Sequence, residues 1–188
     1  RRVLFRSEMS NGNSSSVSRK TQDARAMAFI APSVTPLSNV NPSLRVYEVD
    51  PETYEVMDYE QYYTQLYGVD KLNGTRPSWN LLYTARDAYA NFSASQAKGT
   101  YAAPVQLDDG VWPKGAPLNA SFWAALTDEM EARPELIEMH QLYQGRNSPR
   151  SPACDTEECQ KAKLCYMRSA SSNLGRHCPS GFGSVQSF

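Results

Sequence analysis

The chain has 188 residues, a formal net charge of −1 and an isoelectric point near 6.2. That length suits one domain or a domain with an appendage, and the balanced charge excludes the basic footprint of a nucleic-acid binder or of a protein held to an anionic membrane surface. No stretch reaches the roughly 18 to 20 apolar residues that cross a bilayer.

The first seven residues, RRVLFRS, read as the in-frame translation of a sequencing adapter and are set aside from fold reasoning. Residues 8–25 are Ser, Asn, Gly and charge without an apolar period, and predict a polar, mobile loop. AMAFIAP (26–32) is an apolar run of strand length ended by Pro32, and predicts a buried strand. In SLRVYEVD, Leu44, Val46 and Glu48 alternate with Arg45, Tyr47 and Val49. Asp50-Pro51-Glu52-Thr53 then has the residues of a type I turn, so 43–66 predicts a hairpin at a sheet edge. Its tyrosines, Tyr54, Tyr59, Tyr62 and Tyr63, suit strand packing better than stacking on a base or sugar.

Beyond Gly68 the period becomes helical. Ser78 is the expected N-cap of a helix over WNLLYTARDAYA, followed by an irregular connection over 91–117. Phe122, Trp123, Leu126 and Met130 form the apolar stripe of a second helix starting near Ser121. Pro134 opens a third, carrying Leu136, Met139 and Tyr143, with Gly145 as its stop. Asp155 and Glu158 resemble a capping pair ahead of a helix through QKAKLCYMRSA. The pattern as a whole is α+β: sheet-edge strands, then a helical C-terminal module over 69–180 with a short tail over 181–188.

All four cysteines, Cys154, Cys159, Cys165 and Cys178, fall in that module. With His177 they offer a zinc-like set, but structural zinc sites present two close pairs, and only the first pair here fits that spacing. Disulfides are the expectation, with three connectivities open, of which neighbour pairing closes the shortest loops. Ten asparagines give four N-x-[ST] sequons, at Asn13, Asn73, Asn91 and Asn119, where chance predicts about one or two. Cysteines and sequons together point to an oxidising compartment: secreted, lysosomal or vacuolar. The start carries no signal-peptide pattern, so a longer gene with upstream sequence is expected.

Catalytic raw material is thin. His140 and His177 have no carboxylate partner at a defensible spacing, and GxSxG, HExxH and P-loop motifs are absent from the sequence.

AFIAPSVTP, NPSLRVYEVD, DYEQYYTQL, SWNLLYTARDAYA, SFWAALTDEMEARPELIEMHQLYQGR and the terminal cysteine run occur in an order that resembles the end of acid sphingomyelinase and its relatives, over roughly 26–178. These are metallophosphoesterases of the calcineurin-like type. The resemblance implies that 26–68 ends an α/β-sandwich catalytic domain and that 69–180 is the family's helical module. It also implies the neighbour pairing, Cys154 with Cys159 and Cys165 with Cys178. The implied parent enzyme cleaves sphingomyelin at a membrane surface into ceramide and phosphocholine, using two zinc ions. The family's last metal motif, Gly-His-x-His, precedes the block matching AFIAPS, so no catalytic residue or metal ligand is expected in this chain. Asn41 and Arg45 match the family's NPxxR block, while Leu44 stands where an aromatic often precedes the arginine. These three are the candidate substrate-edge residues. The alternatives are a relative cleaving polyphosphate or nucleotide phosphodiesters, and a secreted module that binds lipid or protein without catalysis.

Overall fold

A computed structural model describes residues 27–36, 39–66, 78–92, 107–169 and 175–182. The loop expected over 8–25 and the sequon asparagines Asn13 and Asn73 lie outside the described residues.

The hairpin forms as the sequence predicts. Strand β1 (Ser43–Val49) pairs antiparallel with β2 (Val56–Tyr63), from Ser43↔Tyr63 to Val49↔Val56. The Asp50 carboxylate makes the turn by accepting from the amides of Thr53 and Glu52, each at 2.8 Å, and the Asp50 carbonyl accepts from Tyr54. Those amides favour the charged form and hold the Asp50 carboxyl below its ordinary range. The inward face of the hairpin is the one bearing Tyr47, Tyr59 and the half-buried Arg45, while Val46, on the Leu44 face, is 54% exposed.

Two sequence expectations are corrected here. The segment after Ser78 is not helical at its start: Asn80–Thr84 is strand β3, paired with β2 through Tyr62↔Leu81 and Gln61↔Tyr83. Helix α1 (Ala85–Tyr89) begins only after Thr84, whose hydroxyl accepts from the Asp87 amide. The free edge of β2 supplies ladder hydrogen bonds, and the bulge at Leu82, between the Tyr62↔Leu81 and Gln61↔Tyr83 pairs, turns Tyr83 into the core, which outweighs local helical preference. The AMAFIAP run, for its part, is not a strand in residues 27–32, for want of a ladder partner among the described residues. It is an extended segment anchored by Phe29, whose ring meets Tyr47, Tyr59 and Trp123 edge-on at 5.6 to 6.0 Å.

The sheet has the order β1-β2-β3 and packs its inner face on helices. Helix α2 (Ala120–Ala132) is capped by Asn119, whose side-chain oxygen accepts from the amides of Ser121 and Phe122. Its stripe of Phe122, Trp123, Leu126 and Met130 is buried inside this chain. Trp123 stacks on Tyr59 with 6.4 Å between centroids and meets Phe122 edge-on at 5.0 Å. Helix α3 (Glu135–Gln144) runs from Pro134 to Gly145, as its sequence signals predict. Arg86 ties the layers together, donating to the carbonyls of Met57, Pro113 and Ala116. Gly110 is needed for close approach: at φ +80° a Cβ there would lie 2.7 Å from the Phe92 carbonyl oxygen.

Helix α4 (Glu157–Met167) is capped by Thr156, one residue beyond the expected Asp155. The four cysteines form two disulfides, Cys154–Cys159 and Cys165–Cys178, so the zinc alternative falls away. Arg168, just past α4, donates to Thr127, Asp128 and Glu131 of α2. The protein is therefore a small α+β unit with a three-stranded antiparallel sheet, four helices and two disulfides among the described residues. No helix among them is long and apolar enough to cross a membrane.

Candidate functional site

Sheet, extended segment and α3 meet around a cleft of about 150 Å³. β1 contributes Arg45, β2 Gln61 and β3 Tyr83, all from the inner face. His140 and Tyr143 come from α3, and Arg146 from the turn beyond it. Ile30, Ala31 and Pro32 form the opposite wall.

Each cation is fixed by its surroundings. The Arg45 guanidinium lies over the Tyr59 ring at 4.2 Å and donates to Gln61 Oε1 at 2.6 Å and to the Tyr47 hydroxyl at 3.0 Å. Its Nε is buried and has no hydrogen-bond partner among the described residues. Arg146 Nη1 donates to the carbonyls of Ser33 and Asn41, at 2.8 and 2.9 Å. Burial draws the Arg146 guanidinium below its ordinary pKa, since a less solvated cation is costlier to keep charged. Neither arginine is in an ion pair among the described residues, and no Asp or Glu lines the cleft.

The lining on the helix side is aromatic. Tyr83 and Tyr143 stack with centroids 4.1 Å apart, and Tyr83 donates to Gln61 Oε1. Burial, and then the neighbouring Tyr83, push the Tyr143 phenol above its usual range, so it stays a neutral donor. His140 is buried beneath, its Nδ1 3.4 Å from the Tyr89 hydroxyl. Close by, Lys163 of α4 reaches Gln144 Oε1 at 3.4 Å, and burial lowers its pKa to about 8.

The three residues singled out from the sequence are separated by the fold. Arg45 faces the cleft. Leu44 lies on the other sheet face, opposite Tyr62. Asn41 is 0% exposed, and its amide makes four hydrogen bonds: it donates to Gln65 Oε1 and to the carbonyls of Arg146 and Asn147, and accepts from the Leu66 amide. Asn41 and Arg146 thus clamp each other, joining the mouth of the hairpin to the turn after α3. Of the sequons, Asn91 is exposed and bridges to Val111, and Asn119 is the half-buried cap of α2.

Gln61, Tyr83, Tyr143 and Arg146 escape the sequence reading as site residues, and His140 is set aside there for want of a carboxylate partner. The one local signal for Arg146 is its position after Gly145, where a helix stop leaves a turn residue pointing back at the sheet. Among the described residues no three His, Cys, Asp or Glu side chains converge where a metal could sit. They do not fit the zinc pair that the sequence resemblance implies.

Comparison with known proteins gives relatives but no matching family model. The chain is 26% identical over 178 residues to sphingomyelin phosphodiesterase 1 of Caenorhabditis elegans, covering 94% of this chain and 25% of the relative. It is 29% identical over 157 residues to human sphingomyelin phosphodiesterase, covering 81% of this chain and 21% of the relative. Against the cyclic GMP-AMP phosphodiesterase SMPDL3A of Bos taurus it is 37% identical over 85 residues, covering 42% of this chain and 18% of the relative. The chain therefore spans about a quarter or less of the length of these curated relatives.

Proposed function

We propose that this chain, similar over most of its length to sphingomyelin phosphodiesterases, serves as the closing part of a sphingomyelin-cleaving phosphodiesterase. The carrying observation is the similarity over 94% and 81% of the chain to two proteins of that name. In this reading the sheet belongs to the edge of a metallophosphoesterase sandwich, and the helices with their disulfides brace it. The activity of the whole protein is release of phosphocholine from sphingomyelin in a membrane surface, leaving ceramide. The proposal assigns two zinc ions to the parent enzyme, held by residues other than those described here. Two disulfides and the sequon residues Asn13, Asn73, Asn91 and Asn119 support a secreted, lysosomal or vacuolar, glycosylated protein. Arg45 is its candidate substrate-side residue, Leu44 stands on the opposite sheet face from it, and Asn41 acts through the turn it holds.

The test is phosphocholine release from sphingomyelin vesicles by the complete polypeptide that carries this chain. Release that a chelator abolishes and zinc restores is the expected result. A competent, folded enzyme that is inert toward sphingomyelin contradicts the reading.

A second reading has its own support. The 37% identity over 85 residues is to a protein named for cleaving a cyclic dinucleotide, and Leu44 replaces the aromatic expected before Arg45. A nucleotide phosphodiester is the substrate in that case. A non-catalytic lipid-binding module gains no such support, because Phe122, Trp123 and Leu126 are consumed by the chain's own core.

A further inference from the structure

We propose that the cleft between Arg45 and Arg146 is a binding site for a phosphate-type oxyanion. The inference stands on the geometry of the cleft and is independent of the phosphodiesterase reading.

Four observations converge. Two guanidiniums line one cleft, and neither has a carboxylate partner among the described residues. Partly buried cations without a counter-ion are costly, and an entering anion removes that cost. The Arg45 Nε–H is buried and has no partner, although the rest of the group is held by Tyr59, Tyr47 and Gln61. A donor fixed in this way loses little freedom when it binds. The lining is built rather than incidental: Gln61 and His140 are 3% and 5% exposed. Finally, a cleft of about 150 Å³ is well below the roughly 300 to 1,000 Å³ of pockets that hold drug-sized ligands. It admits an ion of a few heavy atoms but not a lipid. Guanidinium forks favour tetrahedral or carboxylate oxyanions, and the neutral Tyr143 phenol adds a donor suited to the many acceptor sites of phosphate.

Calorimetric titration of the chain with inorganic phosphate at low salt is the test. Saturable binding in the millimolar range or tighter is expected. Gln144→Glu puts a carboxylate on the cleft wall while keeping an acceptor for Lys163, so the fold is retained. This variant is expected to bind phosphate at least about tenfold more weakly, with a melting temperature no lower than the parent's, because the new carboxylate faces the buried Lys163 charge. A reading that needs no variant comes from NMR: the Arg45 Nε–H resonance moves on phosphate addition and much less on acetate addition. Methyl phosphate binding as well as phosphate assigns the ligand to the ester group of a larger molecule, and its exclusion assigns free phosphate. Either result keeps the oxyanion site. Lack of saturable phosphate binding, acetate binding equal to phosphate, or an unmoved Arg45 resonance overturns it. Failure of sphingomyelin hydrolysis bears on none of these outcomes.

Discussion

The junction of sheet, α2 and α3 and the α4 module beside it are held by different physics. Around Tyr59 and Trp123, rings meet in a continuous network of edge and stacked contacts, and Tyr59, Tyr89 and Phe122 are at most 1% exposed. Helix α4 buries a shorter set, Cys159, Ala162, Leu164 and Met167, together with a lysine. Two disulfides and the Arg168 clamp on α2 make up the difference. Where apolar area is scarce, covalent links lower the entropy of the unfolded chain instead.

The sharpest way to break this contrast is at the ring junction. Trp123→Ala deletes the ring shared by Phe29, Tyr59, Tyr89 and Phe122, and is expected to cost about 3 to 5 kcal/mol in urea unfolding. A loss of the size seen for surface substitutions would mean the rings are not the main support. Next, replacing Cys165 and Cys178 by Ser opens a loop with a sequence separation of 13, at an expected cost of about 3 kcal/mol. Opening Cys154–Cys159, with a separation of 5, is expected to cost about 2 kcal/mol. Hydrogen exchange should rise in α4 and stay low in β2, and equal loosening of both would contradict the division.

Lys163 makes the stability of the α4 region depend on pH. Its pKa is about 8 in the fold against 10.5 for the free side chain, so the unfolded chain binds the extra proton between those values. Stability therefore rises with pH across that window, and the cost of burying the charge is fully present below pH 8. Lys163→Met is expected to flatten the rise and to stabilise the neutral-pH protein by about 2 kcal/mol, measured by urea midpoints against pH. The smallest effects are the caps. Asn119→Ala at α2 and Thr156→Ala at α4 are each expected to cost about 1 kcal/mol in thermal unfolding.

What the sequence makes legible follows from how local each cause is. The hairpin turn rests on Asp50 and amides within three residues of it, and the α2 stripe repeats at helical spacing, so both can be read directly. Strand β3 cannot, because its state is decided by a vacant edge on β2 and not by its own pattern. The alternation of β1 is readable, but not which face turns inward: Arg45 and Tyr47 do so because Tyr59 and Gln61 receive them. The disulfide pairing agrees with the sequence resemblance, while the spacing by itself leaves three connectivities open. The cleft is the least legible part, since it joins Arg45 to Arg146 across three elements and depends on the Asn41 clamp.

The most direct test of the functional account is a comparison of kcat/KM on sphingomyelin vesicles and on a cyclic dinucleotide, using the complete polypeptide that carries this chain. A sphingomyelin-cleaving parent enzyme gives the higher value on sphingomyelin, lost on chelation of the metal. A higher value on the dinucleotide, or turnover of sphingomyelin that is indifferent to the chelator, would contradict it.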